Sequence, residues 1–171
     1  MADHSRSGSR LSLDEYFLRM AELVALRTTC ARRAVGCVLV NAYNHVMATG
    51  YNGVAAGQPH CIEHHCPGAG WPSGQGLHLC EAIHAEQNAL LQCHDITTID
   101  TCYCTASPCV HCIRLLLNTN CNRIVFRTAY PHLASEKLWR DSGREWVCVP
   151  KQPEGCIIDN TVRWPDGSAV E

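Results

Sequence analysis

Apolar residues recur at helical spacing over residues 13–28, at Leu13, Phe17, Met20, Leu23 and Val24, and Ser12 with Glu15 is placed as a capping box ahead of them. A β-branched run follows over residues 35–40. Turn residues occupy 41–45, and residues 46–49 return, which predicts a hairpin. Gly50-Tyr51-Asn52-Gly53 closes it as a turn, its two glycines allowing tight or left-handed backbone. Residues 58–76 are rich in Gly, Pro, His and Cys and predict no regular element; so long a loop inside a compact domain is functional or pinned. Beyond it the pattern predicts a helix over 81–93, a strand over 101–105 and a helix over 109–118 with Pro108 at its start. A strand over 123–127, a short helix over 135–140 and a last strand over 146–149 complete the pattern. Strands alternating with helices predict one α/β domain over residues 13–150 with a mixed sheet. Residues 1–12 read as a polar, disordered leader, residues 55–80 as a Cys/His-rich insertion and residues 151–171 as a tail without periodicity.

Charge narrows the partners. The formal net charge is −2, which argues against a nucleic-acid backbone as the main ligand but leaves room for a small anion held by local arginines. No apolar run approaches the ~20 residues that span a bilayer, and the first residues lack the apolar stretch of a secretory signal. Thirteen cysteines among ten histidines then fit reduced thiols and metal sites in a cytoplasmic protein better than a disulfide framework. Cys37, Cys102, Cys104, Cys121 and Cys148 lie in apolar runs and read as small buried residues.

The chemistry is concentrated in two short segments. His84-Ala85-Glu86 opens one apolar segment, and Pro108-Cys109-Val110-His111-Cys112 opens another. One imidazole and two thiolates are three zinc ligands, which leaves the fourth position for water. Glu86 is not needed to hold the metal and is placed to move protons for that water. Cys109 and Cys112 share a face at a helix start, where the helix dipole favours thiolates. Two helix N-termini meeting over a sheet edge would assemble the site. Alone, C-x-x-C is equally a redox pair or half of a structural zinc site, and H-x-E means little. Together, in this order and with the proline, they form the zinc deaminase signature.

The surrounding residues narrow the resemblance. The run from His84 to Leu90 resembles the HAExNAI segment of the deoxycytidylate deaminases, and Ser107-Pro108-Cys109-Val110-His111-Cys112 resembles their SPCxxC segment. Gly50-Tyr51-Asn52-Gly53 matches their GYNG motif, and residues 29–36 are similar to the segment leading into their first strand. The resemblance implies a three-layer cytidine-deaminase-like fold, a mixed five-stranded sheet flanked by helices. It implies hydrolysis of dCMP to dUMP and ammonia, a step in deoxynucleotide metabolism that supplies the dTMP precursor. It further implies a homohexamer with dCTP and dTTP as effectors, and Mg where a triphosphate is bound. The GYNG residues Gly50, Tyr51, Asn52 and Gly53 would lie near the regulatory nucleotide. Tyr130 matches an aromatic that stacks on the pyrimidine, a core tyrosine being the alternative. Asn52 is placed for the substrate sugar, and Ala85 and Ser107 for substrate contact. Arg32 and Arg33 are candidates for the 5′-phosphate, which needs a fork-like cationic partner, or else serve solubility alone.

The same resemblance implies a second, structural zinc pinning the insertion. Cys30 and Cys61 match its ligand positions; Cys66 and Cys80 would complete the set, with His65 and His78 as substitutes and His60 and His64 close by. The alternative is free cysteines in a mobile lid. The position of Cys80 departs by one residue from the family spacing. Other readings of the whole chain are dCTP deamination as a second activity, a tRNA adenosine deaminase, and a non-enzymatic zinc-binding regulatory module. The acidic balance and GYNG argue against the RNA enzyme, and Glu86 argues against the module.

Overall fold

The computed structural model describes residues 11–64, 66–71, 75–76, 79–130 and 133–151. Residues 1–10 of the leader expected over 1–12, residues 152–171 of the tail expected over 151–171, His65 and His78 lie outside the described residues. Helix α1 (Leu13–Ala25) leads into the hairpin β1 (Gly36–Asn41) and β2 (Val46–Tyr51). The two-residue strands β3 (Gly53–Val54) and β4 (Ala82–Ile83) pair with each other on either side of the insertion. Then come α2 (Ala85–Gln92), β5 (Ile99–Ala106), α3 (Val110–Leu117), β6 (Arg123–Thr128), α4 (Leu133–Asp141) and β7 (Glu145–Cys148).

The main sheet has five strands in the order β2-β1-β5-β6-β7. β1 is antiparallel to both of its neighbours, whereas β6 is parallel to β5 and β7 to β6. One rim therefore collects the carboxyl ends of β2, β5, β6 and β7 together with the amino end of β1. In open α/β sheets, ligands bind beside the carboxyl ends of strands. The layers match the expected three-layer fold. On one face, Phe17, Leu18 and Ala21 of α1 pack on Val38, Val40, Tyr103 and Val125. On the other, Ala85 and Ala89 of α2, Ile113 and Leu116 of α3 and Trp139 of α4 cover Leu39, Cys102, Ile124 and Phe126.

Several local expectations are corrected. The buried face of α1 is Phe17, Leu18, Ala21 and Ala25, while Leu13 and Leu23 are exposed. Ser12 Oγ accepts from Glu15 N at 3.1 Å, but the reciprocal half of the capping box does not form. The Glu15 carboxylate instead accepts from Arg127 at 2.8 and 2.9 Å and from Arg19 at 2.8 Å. Pro108 stands one residue ahead of the N-cap of α3, which is Cys109 itself. Cys37, Cys102, Cys104 and Cys121 are buried, as expected of small apolar residues, whereas Cys148, last in the edge strand β7, is exposed.

The GYNG segment is not a turn. Gly50 and Tyr51 end β2, Gly53 begins β3, and neither glycine has positive φ. The glycine at 50 answers a close approach: a Cβ there would lie 2.2 Å from Ala85 O and 2.4 Å from Ala89 N, both backbone atoms of α2. Gly36 does the same on the opposite face, where a Cβ would lie 2.0 Å from Ala21 O of α1. Both helices thus sit backbone against backbone on the hairpin. The left-handed residue of the hairpin is Asn44, at φ 62, in a loop where Asn41 Oδ1 accepts from Tyr43 N and His45 N at 3.0 and 2.9 Å.

Arg127 locks α1 to β6. Its side chain is buried, and besides Glu15 it donates from Nε to Glu22 Oε1 at 2.8 Å. Because this guanidinium stabilises the ionised form, the Glu15 carboxyl is held down at about 2, against an ordinary 4.5.

Two outcomes are expected. Gly50→Ala forces α2 off β2 and lowers the stability read from urea unfolding by about 3 kcal/mol, near the upper end of overpacking costs. A depressed carboxyl contributes stability that is complete above its unfolded value and is lost as pH falls from 4.5 toward 2, a loss of at most about 3 kcal/mol for Glu15 before solvent screening. Arg127→Met should flatten that acid limb of the urea midpoint while destabilising the neutral protein by about 3 kcal/mol.

Candidate metal centre and substrate cavity

His84 is the N-cap of α2 and Cys109 the N-cap of α3, so two helix amino termini meet at the rim. α3 starts from the end of β5, the central strand, which places this meeting over the middle of the sheet rather than at an edge strand. His84 N donates to Gln87 Oε1 at 2.9 Å, which fixes the first turn of α2. His84 Nδ1 lies 3.4 Å from both Cys109 Sγ and Cys112 Sγ, and the two sulfurs are 3.7 Å apart. A tetrahedral ion bound at about 2.3 Å to sulfur and about 2.0 Å to nitrogen requires ligand separations of about 3.5–3.8 Å. The donor set and its spacing therefore fit zinc.

Electrostatics agree with ligands poised for a cation. The Cys112 thiol and then the His84 imidazole hold the Cys109 thiol down at about 3. Cys112 is pushed up, because it keeps the proton that the pair shares and because it is buried. His84 is raised by its bond to Cys109. Glu86, in the first turn of α2, is 4% exposed, and burial pushes its carboxyl up to about 7. Behind it the buried thiols of Cys37, Cys102 and Cys104 are in sulfur contact, at 3.6 Å for Cys37 to Cys102 and 3.5 Å for Cys102 to Cys104.

His84, Glu86 and Cys109 open on a cavity of about 560 Å³. Its walls include all six residues that the sequence nominates for substrate: Arg32, Arg33, Asn52, Ala85, Ser107 and Tyr130. Arg32 Nη2 donates to Gln75 O at 2.7 Å. Arg33 Nη2 donates to Thr128 Oγ1 at 3.2 Å, and its guanidinium lies 5.7 Å from the Tyr130 ring centre. Ser107 Oγ accepts from Tyr130 N at 2.7 Å, tying the end of β5 to the end of β6. Of the GYNG residues only Asn52 reaches this cavity. Tyr51 instead accepts through its carbonyl from Asn88 Nδ2 of α2 at 2.7 Å.

The loop cysteines divide differently from the expected set of four. Cys61 and Cys66 are buried, and their sulfurs and a carboxylate oxygen of Glu81 all lie within 4.8 Å of one another. Cys80 is not in that cluster; it lines the cavity, as does Cys30. The segment leading into β4 thus contributes Glu81 to the cluster and Cys80 to the cavity wall. Cys30 still influences the cluster: burial, then Cys66, then Cys30 and Glu81 push the Cys61 thiol up to about 12. His64 Nε2 lies 3.4 Å from Glu81 Oε2. Trp71 and Ala69 of the insertion also line the cavity and were not foreseen. The available signal was a lone tryptophan in a run of small residues, Gly68-Ala69-Gly70-Trp71-Pro72.

Comparison with known proteins places this geometry. Residues 11–128 match the model of the cytidine and deoxycytidylate deaminase zinc-binding region. The deoxycytidylate deaminase of Schizosaccharomyces pombe is 40% identical over 125 residues, 71% of this chain and 38% of that protein. The deoxycytidylate deaminase of Mycobacterium phage D29 is 39% identical over 125 residues, 69% of this chain and 96% of that one. The chain thus spans less than two fifths of its fission-yeast relative and nearly all of the phage one. Among solved structures, the dCMP deaminase of cyanophage S-TIM5 in complex with dCMP and dUMP superposes with a TM-score of 0.66 at 24% identity, over 81% of this chain and 98% of that chain. That likeness supports the fold.

The depressed Cys109 thiol has a measurable consequence. After chelation, iodoacetamide at about pH 5 should label Cys109 ahead of the exposed Cys148, because only a thiolate reacts. Mass spectrometry locates the label, and added zinc should suppress it; labelling of Cys148 first would count against a poised thiolate.

Proposed function

Because the chain belongs to the cytidine and deoxycytidylate deaminase family, we propose that it is a zinc-dependent hydrolase converting dCMP and water to dUMP and ammonia. The observation that carries this reading is Glu86, 4% exposed, set in the cavity wall with His84 and Cys109 of the His84, Cys109 and Cys112 triangle, where burial pushes its carboxyl up to about 7. His84, Cys109 and Cys112 would hold the zinc. Bound there, zinc supplies a Lewis acid that makes water a nucleophile at neutral pH. Glu86 would carry the two protons of the attacking water in turn, one to the ring nitrogen and one to the amino group, while the water oxygen joins C4 of the cytosine and the C4–N bond breaks to release ammonia. A carboxyl near 7 exchanges protons in both directions at neutral pH, as this dual role demands. Tyr130 flanks the pyrimidine, Ala85 and Ser107 line its pocket, and Arg32 and Arg33 receive the 5′-phosphate.

The reading extends to a second zinc on the insertion, held by Cys61 and Cys66 with Glu81, which clusters with them, and Cys30, which is close enough to act on Cys61, as further donors. It also includes a cytoplasmic homohexamer that responds to dCTP and dTTP through the GYNG segment and supplies the dTMP precursor. Exposed Leu13, Tyr16 and Leu23 on α1 support self-association.

Ammonia release from dCMP, dCTP and deoxycytidine, measured side by side with and without dTTP, tests the reaction and its substrate. Glu86→Ala should lower dCMP turnover by about 10³-fold or more while its zinc stays bound. Metal analysis should return about two zinc per chain, one for each site. Release of ammonia from none of the three, or loss of the catalytic zinc in Glu86→Ala, defeats the reading.

A further inference from the structure

We propose that Cys37, Cys102 and Cys104 form a binding site for trivalent arsenic, taken up as arsenous acid, and that filling it disables the metal centre from beneath. The binding rests on the sulfur geometry; only the loss of turnover rests on the dCMP reading above.

The three thiols sit on two paired strands. Cys102 and Cys104 are two apart on β5 and so share a face, and Cys37 of β1 is paired with Cys104. Their sulfurs converge: Cys102 Sγ lies 3.6 Å from Cys37 Sγ and 3.5 Å from Cys104 Sγ, and all three are within 4.8 Å of one another. Sulfurs so spaced can each reach one central atom at about 2.3 Å, the length of a zinc–thiolate bond. All three are free thiols, fully buried, and the deamination has no use for them.

The surroundings select the guest. A closed zinc site takes four ligands, and among the described residues no fourth histidine, cysteine or carboxylate joins this cluster. The cross-strand neighbours are Gly50, Ile124 and Phe126, all without charge. The ionisable group outside the cluster that acts on Cys37 is an acid, Glu86. Three thiolates around a monovalent or divalent soft ion would therefore bury net negative charge with no cation to balance it, which is costly. Trivalent arsenic leaves no such charge. Arsenous acid is small and uncharged at neutral pH, and each of its hydroxyls condenses with one thiol. An arsenic–sulfur bond forms, an arsenic–oxygen bond breaks, and the thiol proton leaves with the hydroxyl as water. Arsenic stays trivalent throughout, and the trithiolate product is neutral, as an apolar core demands.

The site lies under α2. On its other side Cys37 pairs with Gly50, where Ala85 O and Ala89 N fill the space of the missing Cβ. An atom added to so closely packed a core presses on the first turn of α2, which carries Glu86 and follows His84. Entry is short: Cys37 is the second residue of β1 and Cys104 the third from the end of β5, so a local opening at the rim exposes both.

The test adds arsenite to the reduced, zinc-loaded full chain and to its Cys37→Ala and Cys104→Val variants. Non-denaturing mass spectrometry should show the unmodified protein gaining one arsenic and losing three hydrogens with its zinc kept, and dCMP turnover should fall in step with that adduct. In both variants that adduct should be lost, and turnover should survive the same dose. Zinc expelled as arsenic enters, or an adduct of the same mass in both variants, would assign the arsenic to the zinc ligands or the loop cysteines and overturn the proposal. So would no adduct in the unmodified protein. Undiminished turnover with the adduct in place overturns the inhibition. If one variant does not fold, the other decides. Failure of the dCMP reading shows separately, as an unmodified protein inactive on dCMP before any arsenite is added; the inhibition then falls with it, and the mass of the adduct still decides the site.

Discussion

Everything at the rim depends on a steric constraint in the hairpin: α2 lies on β2 with no side chain between them at Gly50. The carbonyl of Ala85 and the amide of Ala89 occupy the space that any Cβ would need. This fixes α2 along its axis and in its distance from the sheet. His84 and Glu86 take their positions from the first turn of that helix, so the imidazole reaches the sulfurs of a second helix without a long flexible arm. Gly36 repeats the constraint against α1 on the other face. The hairpin is thereby held between two backbones, and protein interiors packed this closely do not yield by small amounts.

Sheet polarity distributes the chemistry. The ends of β5 and β6 supply Ser107, Cys109 and Tyr130, the end of β2 supplies Asn52, and the start of β1 supplies the two arginines. Four strands run one way and β1 alone runs the other, so the segment leading into β1, rather than one leaving it, comes up beside the site. That segment has no ladder to order it and borrows its hydrogen bonds from a side chain on the neighbouring strand. The electrostatic division is equally plain: positive groups come from the β1 side, and the acid and thiolates come from the helix termini.

The clustering of His84, Cys109 and Cys112 and the alternation of strands and helices were legible in the sequence, because residue spacing and hydrophobic period are local signals. The α1 stripe was less so. Leu13 and Leu23 fit helical spacing, but small residues pack closer, and Ala21 and Ala25 form the contact while the leucines face outward. GYNG read as a turn because glycine's freedom and glycine's small size cannot be told apart in sequence; only the seated helix distinguishes them. That Glu81 joins the Cys61 and Cys66 cluster while Cys80 lines the cavity is a difference of one residue in an irregular segment, which lies below what composition can resolve. Trp71 reaches the cavity through loop geometry that no periodicity encodes.

The arrangement of the site along the chain bears on how it comes into being. Its parts lie at residues 28–35, 52, 84–86, 107–112 and 128–130, and β1 pairs with a strand that is synthesised some sixty residues later. Contacts of such long sequence separation form late, after loop closure has been overcome. During synthesis β1 and β2 can zip first, but their exposed edge must wait for β5, and the imidazole of His84 precedes both sulfurs out of the ribosome. An ion held by His84, Cys109 and Cys112 could therefore be captured only when most of the sheet exists, as a late latch on an almost finished fold rather than a nucleus around which the chain collapses. Until then the thiols of the β1 and β5 core are open to oxidation, and the speed of strand pairing sets how long that window lasts.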